Sequence, residues 1–193
     1  MEIEYEATFE NINKDEMRKK LKNAGALLLR PEFLQKRIPF YLPGENVTGK
    51  GFARVRDEGD KITMSYKLFD GDKIENQKEL CIEVSDFDKA VELFELLGCK
   101  KKSYQESKRE IWKLDEVEIM IDEWPFLEPF VEVEGKSEEE VKKVSEKIGF
   151  DYSKALFSNS ALLYQKKYNI PNDKINVEPL VVFDMENPFL KYL

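Results

Sequence analysis

The first nine residues constrain the fold more than any other stretch. Ile3, Tyr5, Ala7 and Phe9 alternate with Glu2, Glu4, Glu6 and Thr8. A two-residue period is that of a β-strand with two chemically different faces. Here the polar face is almost entirely carboxylate. Like charges two residues apart on one face repel each other, and open solvent gives them nothing in return. They make sense if they point at cations, so the rest of the chain is expected to supply strands that carry them.

It does. Residues 52–56 put Arg54 and Arg56 on one side and Ala53 and Val55 on the other. Residues 61–68 return with Thr63, Ser65 and Lys67 together, which reads as a hairpin. Residues 78–84 set Glu79, Cys81 and Glu83 against Leu80, Ile82 and Val84. Further along, Gln105, Ser107 and Arg109 share a face within 104–114. Glu118, Met120 and Asp122 do so within 116–122, and Glu132 and Glu134 within 130–134. Residues 27–42 read as a strand region with Gln35 and Arg37 on one face, interrupted by Pro31 and ended by Pro39 and Pro43-Gly44. Residues 45–50 read as a polar loop. Residues 124–129 are a connector, because Pro125 and Pro129 lack the ladder donor.

Four helices punctuate these strands. Asn13 caps the first, Met17 and Leu21 mark its apolar face, and Gly25 stops it. Ser85 or Asp86 caps the second, with Phe87, Ala90, Val91 and Phe94 facing a core before Gly98. Ser137-Glu138-Glu139-Glu140 opens the third as a capping box, and Val141, Val144 and Ile148 face inward. The fourth spans 159–168. The tail, 176–193, carries a strand-like run at 180–183.

The helices choose between two arrangements. In an open sheet the charged faces would look at bulk water. In a closed barrel they look at each other across a lumen. Amphipathic helices need apolar surface to cover, and the apolar strand faces provide it, so helices outside force the charges inside. The expected fold is α+β: an eight-stranded antiparallel β-tunnel or barrel with helices packed outside. Residues 1–170 form this tunnel domain, and 171–193 a tail that adds a strand or an oligomer contact, such as that of a homodimer.

A dry interior cannot hold so many ions, since each unpaired charge costs several kcal/mol or neutralises. The lumen must be wet or filled by a ligand that pairs with both signs. A triphosphate gripped by arginine and lysine, bridged to carboxylates by Mg²⁺ or Mn²⁺, meets that demand. The chain contains no histidine, which removes the commonest general base and zinc ligand and leaves a hard cation held by oxygen. The chemistry favoured is metal-assisted attack on phosphorus.

Bulk properties exclude other classes. A net charge of −8 argues against general nucleic-acid binding. No apolar run reaches the length of a membrane span, and the N-terminus has no signal-peptide pattern. Two cysteines, Cys81 and Cys99, read as reduced thiols of a cytoplasmic protein.

The order of these motifs resembles the CYTH superfamily, the triphosphate tunnel metalloenzymes, over roughly residues 1–170. The family's ExExK motif matches Glu4-Tyr5-Glu6-Ala7-Thr8, with threonine at the lysine position. Its RxR strand matches Arg54-Val55-Arg56, and its late lysine Lys67. The acidic strand resembles 79–83. The later basic strand matches at Arg109, with Ser107 where a second basic residue often stands. The closing acidic pattern matches Asp122 and Phe130-Val131-Glu132-Val133-Glu134. The resemblance implies that Glu4, Glu6, Asp122, Glu132 and Glu134 hold metal or position water. It implies that Arg37, Arg54, Arg56, Lys67 and Arg109 hold the triphosphate, with Glu4, Glu6, Lys67 and Arg109 acting in catalysis. Thr8 is the departure, costing the site one cation that Lys36, Arg37 or Lys108 can replace if its side chain reaches the lumen. Members include triphosphatases for inorganic and thiamine triphosphate and class IV adenylate cyclases. A metal-dependent triphosphatase is therefore the first expectation for this chain. Class IV-type conversion of ATP to cyclic AMP is the second, and non-catalytic triphosphate or polyphosphate binding the third. Nucleic acid and membrane are not expected partners.

Overall fold

The computed structural model describes residues 1–44, 51–171 and 178–193. The expected polar loop at 45–50 and residues 172–177 of the expected tail lie outside these. In chain order the elements are β1 (Glu2–Ile3), β2 (Tyr5–Phe9), α1 (Lys14–Ala24), β3 (Leu27–Tyr41), β4 (Gly51–Asp57), β5 (Ile62–Phe69) and β6 (Gln77–Val84). They continue with α2 (Phe87–Leu96), β7 (Lys100–Lys101), β8 (Tyr104–Leu114), β9 (Val117–Glu123), β10 (Phe130–Gly135), α3 (Glu138–Lys147), α4 (Ala161–Tyr168) and β11 (Leu180–Val181).

The strands follow the path β1-β6-β5-β4-β3-β8-β9-β10-β2, each pair antiparallel. The two ends of that path are halves of one N-terminal strand, broken at Glu4. Before the break Glu2 lies opposite Glu79 on β6, and the Glu4 N–H donates to the Gln77 carbonyl at 2.9 Å. After it Glu6 lies opposite Glu134 and Thr8 opposite Glu132 on β10. One strand thus touches both rims and nearly closes the barrel. Taking β1 and β2 together there are eight long strands, as expected, with the two-residue strands β7 and β11 added at the margins.

Helix ends follow their capping residues. Asn13 Oδ1 accepts from the Asp15 and Glu16 N–H groups, and Gly25 adopts φ +84° beyond the last turn of α1. Asp86, not Ser85, caps α2. The fourth helix begins at Ala161 rather than Asn159, because the Asn159 side chain accepts from the Ala161 N–H and stays outside the coil.

The outer apolar faces meet the helices as expected. Ala7, Phe9, Ile119, Ile121, Val131 and Val133 pack under Met17 and Leu21 of α1 and Val141, Val144 and Ile148. Phe40, Ala53 and Val55 pack under Ala90 and Val91 of α2. The coat is incomplete over β6, where Leu80 and Ile82 are each 56% exposed. The tail packs on its own chain: β11 pairs in parallel with β8 at Tyr104 and Gln105, and Val181 and Phe189 join a cluster with Trp124, Phe130, Tyr164 and Tyr168.

Pro31 and Pro39 do not divide the region 27–41 into pieces. β3 runs through both, 15 residues long. Pro31 sits where pairing to β8 shifts register between Arg30 and Phe33, along a stretch whose other edge has no recorded ladder among the described residues. Bulges and edges tolerate a missing donor. Pro39 stays in register with Arg54, and its carbonyl accepts from the Lys102 N–H at 2.8 Å.

Candidate active site

The strand period aims one face of each ribbon into a cavity of about 950 Å³. Arg37 on β3, Arg54 and Arg56 on β4, Lys67 on β5 and Arg109 on β8 line it. So do Glu4, Glu6, Glu79, Glu132 and Glu134. Nine of the ten residues assigned to the site from sequence are therefore brought together. The tenth, Asp122, is fully buried directly behind Arg109 and does not line the cavity. Glu83 and Glu118 are exposed. Of the three cations that could replace a lysine at Thr8, Arg37 reaches the lumen. Lys36 is exposed, and Lys108 lies 4.7 Å over the Phe183 ring of the tail.

Within the lumen many charges satisfy one another. Lys67 Nζ lies 2.9 Å from Glu4 and 3.8 Å from Glu79, and Arg54 lies 3.0 Å from Glu79. Arg56 lies 2.7 Å from Glu58. Arg109 forks onto Asp122 at 2.8 and 2.6 Å and also reaches Glu132 at 2.5 Å. Arg37 is different. It donates to Gln35 Oε1 at 2.6 Å and to Ser107 Oγ, and its guanidinium stacks 4.4 Å over the Trp124 ring. Among the described residues no carboxylate forms an ion pair with it.

The field in the cavity has two poles. Burial, then Arg54, Arg56 and Arg109, hold the Arg37 pKa well below the usual arginine value. Burial and Arg54 bring Arg56 down to about 10 against the opposing Glu58. At the other pole burial, then Glu132, Glu4 and Glu134, push Glu6 well above the carboxylate range despite Lys67. Burial with Glu118 and Glu132 raises Glu134. Glu4 rises to about 7, chiefly from burial and the neighbouring Glu79, with Lys67 opposing. Burial acts against ionisation of Glu79 too, but Lys67 and Arg54 outweigh it and hold this carboxylate at about 2. Asp122 rises to about 6 through burial and Glu132 against the pull of Arg109.

The anionic pole offers only oxygen donors, which suits a hard divalent cation. Glu6 and Glu134 stand opposite each other and form no ion pair among the described residues. A cation between such groups offsets the burial and the neighbouring carboxylates that disfavour their ionised forms. As placed, no three acidic side chains among the described residues converge as a ready ligand cluster, because Arg109 holds Asp122 and Glu132. The donor set fits such an ion, with Glu6 and Glu134 available and Glu4 and Glu132 beside them.

Several features of the cavity were not read from sequence. Its far wall is the segment 155–162, including Ser158, Asn159 and Ser160. This segment is fastened by an antiparallel bridge in which Thr8 and Leu156 exchange both backbone hydrogen bonds, at 2.9 and 3.0 Å. The segment has no period that marks it as a wall. Phe52, Phe69 and Lys102 also line the cavity. The hydroxyl of Ser107 stands beside Arg37, where a second basic residue is common in the resembled pattern.

The CYTH domain family model matches residues 1–164. No match was found among curated proteins. Among solved structures the fold is similar to PH1012 from Pyrococcus horikoshii OT3, at 25% identity and TM-score 0.68, covering 83% of this chain and 98% of that one. It is similar to a candidate adenylate cyclase from Vibrio parahaemolyticus, at 13% identity and TM-score 0.72, covering 84% and 97%. It is also similar to HpAC1 from Hippeastrum, an adenylyl cyclase candidate with a dominant triphosphatase activity, at 12% identity and TM-score 0.55, covering 88% and 98%. With the family match spanning most of its length and the charged barrel in place, this chain belongs to the CYTH domain family.

Proposed function

We propose that the protein is a divalent-metal-dependent triphosphatase that hydrolyses a phosphoanhydride bond of an inorganic or organic triphosphate. The observation that carries this reading is the separation of charge inside one cavity. Arg37, Arg54 and Arg56 crowd one region, Glu6 and Glu134 oppose each other in another, and Arg109, bonded to Glu132, lies between them. An anion answers the first demand and a cation the second, and a metal-bound triphosphate is both.

In this reading Arg37, Arg54, Arg56, Lys67 and Arg109 grip the phosphates. Arg37, with no carboxylate ion pair among the described residues, takes an anion at least cost. Glu4, Glu6, Glu132 and Glu134 serve the metal side, and Asp122, buried behind Arg109, holds that arginine. When bound, Mg²⁺ or Mn²⁺ supplies charge neutralisation and acidifies water. Glu4, whose pKa lies at about 7, is suited to accept a proton near neutral pH. Lys67 lies between the poles and keeps Glu4 oriented. Residues 1–170 act as the catalytic tunnel and 171–193 as a tail. Free Cys81 and Cys99 accord with a reducing, cytoplasmic setting.

The test is phosphate release from tripolyphosphate, thiamine triphosphate and ATP, with each cation in turn, in wild type and Glu4→Gln. Metal-dependent release that Glu4→Gln depresses by about 100-fold supports the proposal. Cyclic AMP as the main product from ATP replaces it with the cyclase reading. Calorimetric binding without turnover leaves a binding protein.

A further inference from the structure

The cavity is not charged along its whole length. Where β3 and β5 end and β4 begins, Phe52 and Phe69 line it, their rings stacked with centroids 6.4 Å apart and planes 11° from parallel. Lys102 lines the same end. Its Nζ stands 4.6 Å from the centre of the Tyr41 ring and 5.2 Å from that of Phe52. Among the described residues no carboxylate forms an ion pair with Lys102, and burial holds its ammonium down to about pKa 8. Exposed Asp70, Gly71 and Asp72 border this end, which is therefore a mouth.

Moving inward along the same face of β4, Arg54 and then Arg56 follow Phe52, and Lys67 precedes Phe69 on β5. Each step of two residues is about 7 Å. A triphosphate needs only the inner, charged steps. The outer step offers flat apolar faces and a partly desolvated ammonium donor, which suit a flat ring bearing hydrogen-bond acceptors.

We propose that this mouth is a base subsite and that the substrate is a nucleoside triphosphate, its base against Phe52 and Phe69 and its acceptor atoms toward Lys102. The inference rests on the triphosphate reading above and narrows it. The carboxylates of Asp70 and Asp72 at this end are exposed and screened by water, so half-buried Lys102 weighs most in the choice among ring-bearing candidates. Its ammonium attracts the ring nitrogens and carbonyl oxygens of a nucleobase and repels a ring with a fixed positive charge, such as the thiazolium of thiamine triphosphate. Inorganic tripolyphosphate has nothing to place there. Stacking on an aromatic side chain tolerates many bases, so the subsite selects for a base without requiring one in particular.

The experiment is calorimetric affinity and, where turnover occurs, KM for ATP, tripolyphosphate and thiamine triphosphate. It uses wild type, Phe52→Ala, Phe69→Ala and Lys102→Gln, each with its fold checked by circular dichroism. Wild type is expected to bind ATP about ten-fold more tightly than either alternative. Each alanine variant is expected to raise the ATP-to-tripolyphosphate dissociation ratio by about ten-fold. Lys102→Gln is expected to shrink the preference for ATP over thiamine triphosphate. Equal or better wild-type binding of tripolyphosphate or thiamine triphosphate overturns the base subsite and leaves the triphosphatase reading standing. So do variants that leave these ratios unchanged. The wild-type comparison decides the matter even where a variant fails to fold. If wild type binds none of the three, both readings fall together.

Discussion

Glu6 and Glu134 occupy one rung of the β2–β10 ladder, two carboxylates facing each other in the wall of the cavity. Like charges directly opposite on a sheet are destabilising. Burial and neighbouring carboxylates raise both pKa values, and Glu4 and Asp122 rise to about 7 and about 6. A carboxyl whose folded pKa exceeds its unfolded value binds more protons when folded. Its stabilising contribution is complete at acid pH and is lost as pH rises through the folded pKa. Glu79, held at about 2, acts in the opposite sense, but its window closes near the ordinary value of 4.5. Cation-free protein should therefore lose stability between pH 5 and 7.5, with a fall in Tm of about 5 °C. Mn²⁺ at pH 7.5 should restore it, and Glu6→Gln should reduce both effects. Thermal scans in chelator and in metal check this, and a Tm that is flat or rising over that range contradicts it.

Much of this site was legible because a strand's period is local. Arg54 and Arg56, Thr63 to Lys67, and Glu132 and Glu134 announce their shared faces within a few residues. What was not legible depends on long-range pairing. Nothing around Glu4 says that the strand breaks there to serve two rims. Thr8 was read only as a missing cation, yet its backbone fastens the segment 155–162 as a wall. Pro39 looked like a strand end. It lies inside β3 because only its donor is lost, while its carbonyl is still satisfied. Trp124 opens a stretch read only as a connector, and only the fold places it under Arg37.

Arg109 is held by two carboxylates, one of them fully buried. Arg109→Ala leaves Asp122 and Glu132 without their cation, at a cost of about 3–5 kcal/mol. Arg109→Lys keeps the charge but loses the fork and should fall between. The alanine deficit should shrink at pH 5, where Asp122 takes up a proton. Urea unfolding at pH 8 and pH 5 measures both, and a deficit independent of pH would show that packing, not charge, is lost.

Thr8 is buried opposite Glu132, in the strand position where the resembled motif has lysine. Thr8→Lys would set an ammonium beside a carboxylate already shared with Arg109 and add one cation to the lumen. Tripolyphosphate affinity is expected to rise by about five- to ten-fold, the scale of one partly desolvated charge-assisted hydrogen bond. Extra methylenes in a packed wall are expected to cost about 1–3 kcal/mol of stability. Calorimetry reads the first and urea unfolding the second. Unchanged affinity in a folded variant would mean that Arg37 already meets the need.

The tail reaches the cationic pole through a relay of rings. Phe189, 3% exposed, lies 4.6 Å from Tyr164 and 5.4 Å from Tyr168 between ring centres. Tyr164 meets the edge of Trp124 at 6.4 Å, and Trp124 carries the Arg37 guanidinium. Phe189→Ala should cost about 3–5 kcal/mol, the usual range for emptying a buried aromatic site. Its neighbour Leu190 is 58% exposed, and Leu190→Ala should stay within about 0.5 kcal/mol of wild type. If the relay holds Arg37 in place, Phe189→Ala also weakens triphosphate binding under conditions where the variant is fully folded, and Phe189→Leu recovers part of it. A stability loss with unchanged triphosphate affinity would make the tail a brace for the barrel and nothing more.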